Sequence, residues 1–135
     1  MRFLIALAVL AVTAVAHAAS DPALDYMLNC QGCHRADGGG TPGTIPPLSG
    51  SVARFLAVPG GREFLARVPG ASQSFLDDAR LAELLNWLVN RFDAAHVPKP
   101  FPAYTAGEIA ALRKRPLMNV ELARDCVLGR GPCRE

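Results

Sequence analysis

Cys30 and Cys33 are separated by Gln31-Gly32, and His34 follows the second cysteine directly. Two thiols at this spacing can add to the two vinyl groups along one edge of a porphyrin. A histidine fixed beside the second thioether then lies under the iron, where a neutral imidazole nitrogen is a good axial donor. The run has the pattern of a c-type haem attachment site. Two other chemistries use neighbouring thiols. A redox Cys-x-x-Cys pair belongs in a βαβ setting, and no such alternation surrounds this one. A zinc site needs a second ligand pair at metal spacing. The remaining cysteines, Cys126 and Cys133, lie together near the far end instead.

The chain that must position these groups has 135 residues, half of them hydrophobic, which is material for one domain with a small core. Its net charge of +2 implies no strongly acidic or basic partner. There is no basic run interleaved with aromatics, so nucleic acid binding is excluded. The first residues look like an export signal. Met1-Arg2 is a short positive start, Phe3 to Ala16 is apolar, and Ala16-His17-Ala18 is a small-x-small cleavage site. Residues 1–19 are expected to be removed, and His17 with them. The apolar run is too short for a membrane anchor, and no other stretch could span a bilayer. Export places the chain in the bacterial periplasm, where haem is attached. Cys126 and Cys133 would then sit in an oxidising space, and the Gly- and Pro-containing loop between them allows a disulfide.

The expected fold is all-α. Ser20 or Asp21 caps a first helix with Pro22 in its first turn, and this helix delivers Cys30. Gly38-Gly39-Gly40 has neither the preceding strand nor the Lys-Ser/Thr of a phosphate cradle. It reads as a loop passing close to the porphyrin edge, where glycine backbone fits. Two short helical pieces, 51–58 and 62–68, present Phe55, Leu56, Phe64 and Leu65. Ser74 to Asp77 reads as a helix start resembling a capping box. Leu81, Leu84, Leu85, Leu88 and Phe92 then recur at helical spacing as a buried face. After the proline-rich run 98–102, Thr105 and Glu108 cap a helix to Arg115, and Asn119 caps a last helix stopped by Gly129. The expected organisation is a helical domain over 20–95 and a connector with a helical extension over 96–135.

Residues 26–38 around Cys-x-x-Cys-His, with Pro46-Pro47-Leu48-Ser49-Gly50 and the long helix of 74–92, resemble class I c-type cytochromes. The resemblance covers roughly residues 22–92. It implies covalent haem c held by Cys30 and Cys33, with His34 as axial ligand. It also implies that the Pro46 carbonyl accepts from the His34 imidazole and that Leu48 packs on the proximal face. An aromatic near Trp87 is expected where the first and last helices cross. Arg62 and Arg67 are candidate partners of the haem propionates.

The chain departs from that family at the distal ligand. Class I cytochromes usually supply a methionine from the loop before the last helix. Here residues 35–95 contain no Met, His or Lys. Met27 lies on the attachment helix, badly placed for the opposite face. Three candidates are left: Met118 folded back from the extension, His96 just past the long helix, or a position open or weakly filled by water or Asn. The expected function is single-electron carriage between a periplasmic dehydrogenase and an oxidase or another cytochrome, without catalysis. Alternatives are a five-coordinate haem protein that senses a small ligand or works on peroxide, and a dedicated cytochrome subunit of one dehydrogenase with the extension as docking arm.

Overall fold

The computed structural model describes residues 20–133, so the expected signal segment 1–19 lies outside the described residues. Seven α-helices occur among these residues: α1 Pro22–Asn29, α2 Gln31–His34, α3 Gly61–Arg67, α4 Pro69–Ser72, α5 Asp78–Asp93, α6 Ala106–Leu112 and α7 Val120–Val127. Two 3-10 helices, Val52–Ala57 and Ala94–His96, fill in between. The only extended pairing among the described residues is an isolated bridge between Thr41 and Ile45, so the architecture is all-α.

Local chemistry accounts for the helix ends. The Asp21 carboxylate accepts from the Ala23 and Leu24 amides at the start of α1, and Pro22 needs no amide partner in the first turn. Asn119 caps α7 through the Leu122 amide, and Thr105 caps α6 through Glu108. The long helix begins later than the sequence suggests. Ser74 does not start it, because its hydroxyl donates back to the Ala71 carbonyl and closes the turn that ends α4. Asp77 is the cap, accepting from the Arg80 amide. The piece expected at 51–58 is a 3-10 helix rather than an α-helix. The helix expected to reach Arg115 stops at Leu112, with Pro116 four residues on.

The core forms where α1 and α6 both pack on α5. Leu81, Leu84, Leu85, Leu88 and Val89 of α5 are all buried, as are Tyr26 of α1 and Ile109 and Leu112 of α6. Burying each leucine contributes about 1.5–3 kcal/mol. Tyr26, Trp87 and Phe92 meet at the α1–α5 crossing, with Tyr26 ring centres 5.8 Å from Trp87 and 4.9 Å from Phe92. Asp25 is fully buried in the same crossing. Its carboxylate accepts from the Arg80 guanidinium, with Nε 3.2 Å away, so the charge is compensated. Tyr104, Ile109 and Leu112 join one core cluster with residues of α1 and α5, so residues beyond 96 are packed into the body. Arg62 binds α6 through Glu108 at 2.6 and 2.7 Å and lies 4.0 Å from the Tyr104 ring centre.

Candidate functional site

The Cys-x-x-Cys-His run is bent into one helical turn, with the His34 amide donating to the Cys30 carbonyl at 2.9 Å. Both cysteines and His34 then face a single apolar cavity of about 630 Å³, within the range that encloses a small-molecule cofactor. Leu48 and Val52 line it beside Pro46. Phe64 and Leu65 come from α3, and Leu81, Leu84, Leu85 and Leu88 from α5. The phenyl rings of Phe55 and Phe64 stack at 5.0 Å.

The His34 Nδ1 lies 3.2 Å from the Pro46 carbonyl oxygen. Nδ1–H donating there is the tautomer that leaves the Nε2 lone pair for a metal. Burial lowers the imidazole pKa below its ordinary value, opposed by the Pro46 carbonyl and helped by the Arg124 cation. The ring is therefore held in its neutral, ligating form. Cys30 is half-buried, and burial, followed by the Asp25 and Cys33 charges, pushes its thiol up to about 11. It remains a thiol at neutral pH.

The glycine loop works differently from the sequence expectation. Its tightest approach is to the protein's own backbone. A Cβ on Gly40, at φ +65°, would meet the Ile45 carbonyl oxygen at 2.4 Å and the Pro46 carbonyl oxygen at 2.7 Å. Glycine here lets the loop press against the carbonyl that orients His34.

Cys30, Cys33, His34, Pro46 and Leu48 are thus brought together on one cavity. Met118 and His96 are not among its lining residues. Met118 is 93% exposed, and His96 Nδ1 is 2.5 Å from the Asp93 carboxylate. Arg62 is committed to Glu108, and Arg67 Nε donates to the Arg115 carbonyl at 2.6 Å. Neither arginine lines the cavity. The arginines that do line it are Arg124 and Arg130, both near the C terminus. Sequence reasoning missed them, although Val120, Arg124 and Leu128 recur at four-residue spacing and mark one face of a helix. The sulfurs of Cys126 and Cys133 are bonded, with Cα atoms 4.7 Å apart. That bond closes the chain just after α7.

The residues present fit a haem. Two cysteines and a neutral histidine stand at one apolar cavity, and the histidine is oriented by a carbonyl behind it. Cys30 and Cys33 would hold the ring edge, His34 the iron, and the leucines and phenyl rings the porphyrin faces.

No family model matches the chain. It is 36% identical over 129 aligned residues to a cytochrome c-552 of Thermus thermophilus, covering 82% of this chain and 86% of that protein. A second Thermus thermophilus cytochrome c-552 is 37% identical over 106 residues, covering 65% of this chain and 81% of that protein. With the cavity, the oriented histidine and this similarity together, the chain belongs to the c-type cytochromes, in the family of cytochrome c-552.

Proposed function

We propose that this chain is a periplasmic monohaem cytochrome that carries single electrons between redox proteins. It would accept them from a periplasmic dehydrogenase and pass them to an oxidase or another cytochrome. The observation that carries the reading is the convergence of Cys30, Cys33 and the Pro46-oriented His34 on one apolar cavity. The haem, when bound through both cysteines, supplies an iron that changes oxidation state by one electron. The chain's own residues do the rest. His34 is presented as a neutral donor, and Pro46 holds its Nδ1 proton. Leucines of α5 exclude water, which keeps solvent rearrangement small when charge changes.

Export is supported by the sequence of residues 1–19. No helix of the described residues is long and apolar enough to cross a membrane. The face that would meet partners is the one carrying Cys30 and Cys33. Near it, Met27, Leu28 and Phe75 are exposed, Phe75 completely. Leu28, Asn29, Pro69, Gly70 and Phe75 border a shallow depression there. The packing of residues 104–112 into the core favours a freely diffusing carrier over one whose extension is a loose docking arm.

The test is expression of the full chain with its leader in a host that matures c-type cytochromes. The expected product is periplasmic and red. Its intact mass equals residues 19–135 or 20–135 plus one haem, and it is reduced and reoxidised reversibly. Replacing both Cys30 and Cys33 by serine should abolish the covalent mass. A colourless wild-type product with the mass of the bare chain would refute the reading.

A further inference from the structure

The cavity has a histidine on its wall and nothing of comparable donor strength elsewhere. Among the described residues, its lining holds no histidine, methionine or lysine apart from His34. Met118 is turned out to solvent. His96 is engaged by Asp93, which also accepts from the Ala53 amide at 2.9 Å. The lining hydroxyls of Ser51 and Ser74 donate to the Pro47 and Ala71 carbonyls.

One charged group stands out. Arg124 of α7 lines the cavity, and its guanidinium lies 6.0 Å from the Phe64 ring centre. Among the described residues its side chain has no carboxylate partner. Arg130, the other lining arginine, is paired with Asp125 at 2.9 Å. A cation facing an apolar cavity without an acid of the chain is complemented by an anion brought into that cavity, which a ligand at the iron or a ring propionate supplies.

We propose that no side chain of this protein takes the sixth position on the iron. That position instead accepts a small exogenous ligand, with Arg124 as the cation that favours an anion there. The inference rests on the haem reading above, with His34 as the axial ligand. It adds a ligand-binding site to an electron carrier, so that small anions and diatomic molecules compete with electron transfer. The ligand class is set by the site: a short, linear or diatomic donor, neutral on ferrous iron and anionic on ferric iron.

The experiment uses the matured full-length protein, first shown by mass and reversible reduction to carry haem. Loss of haem there would sink both readings. With haem present, the two part company. The dithionite-reduced protein is mixed with carbon monoxide, and the ferric protein is titrated with sodium azide, both followed by absorption. The expected results are a carbon monoxide adduct formed within the mixing time and a saturable azide spectrum. A low-spin ferrous spectrum unmoved by carbon monoxide overturns the proposal while leaving electron carriage intact. It is equally overturned if carbon monoxide binds only after Met118→Leu or His96→Gln.

Arg124→Leu should weaken azide binding about tenfold, the worth of a charge-assisted hydrogen bond, and leave carbon monoxide affinity within about twofold. Arg124→Lys, which keeps the charge, should recover part of the azide affinity and guards against a folding defect in the leucine variant. Unchanged azide affinity with a shifted midpoint potential would assign Arg124 to a haem propionate and overturn its role at the iron.

Discussion

Gly40 has no side chain, yet it bears on the orientation of His34. Its place is filled by the Ile45 and Pro46 carbonyls, and the second of these is the acceptor of His34 Nδ1. Gly40→Ala should cost more than about 1 kcal/mol, since the φ is left-handed and the Cβ collides with backbone. It should also displace the carbonyl behind His34. A lowered Tm and a shifted midpoint potential in the same variant would report both. Tyr26 makes a second prediction. Its hydroxyl donates to the Arg35 carbonyl at 2.7 Å, and burial, then the charges of Cys30 and Asp37, push its pKa up to about 12. The unfolded phenol titrates near 10. Between these values the folded state holds a proton that the unfolded state has lost, so stability falls as pH rises from about 10 to about 12. Tyr26→Phe should lower stability by about 1 kcal/mol at neutral pH and flatten that alkaline decline, as read from denaturant midpoints across pH. At this scale the sequence was informative wherever chemistry demands fixed spacing. Cys30, Cys33 and His34 could be read from it directly, and Pro46 through resemblance. The role of Gly40 was not legible, because it depends on which backbone the loop folds against.

At the scale of elements, periodicity located α5 but not its first turn. Ser74 and Asp77 both have the chemistry of a helix cap, and only the closed turn at Ala71 decides between them. The far end of α5 is fixed by Asp93, which is almost fully buried. One of its oxygens accepts from the buried amide of Ala53, tying the Val52–Ala57 helix to α5. No local pattern announces a link between residues 40 positions apart. Asp93→Ala should leave that amide without a partner and cost about 1–3 kcal/mol, measured as a lower urea midpoint at unchanged slope. In α7 the signal lay in the spacing of residues rather than in any one side chain. Met118 drew attention as a metal donor. The four-residue spacing of Val120, Arg124 and Leu128 marks the face that lines the cavity.

Over the whole molecule, the C-terminal third completes the enclosure that the N-terminal third begins. Residues 104–112 enter the core, and α7 supplies part of the cavity wall. Sequence reasoning described residues 96–135 as an extension, because nothing in a proline-rich connector says where the following helices dock. The Cys126–Cys133 bond closes a short loop directly behind α7. Replacing both cysteines with alanine should cost roughly 2–3 kcal/mol by the loop-entropy relation. It should also loosen the wall that carries Arg124, seen as a lower Tm and as faster ligand access to the iron.

The Arg113 guanidinium donates to the Ser72, Ser74 and Leu76 carbonyls at 3.0, 2.6 and 2.7 Å. The rim beside the cysteines is thus fastened by a residue made eighty positions later than Cys33. During synthesis the thiols emerge first, while the fastener and the roof that follows it emerge last. Until the final helices are made, the pocket beside Cys30 and Cys33 lacks its last wall, so the enclosure is complete only when the whole chain is.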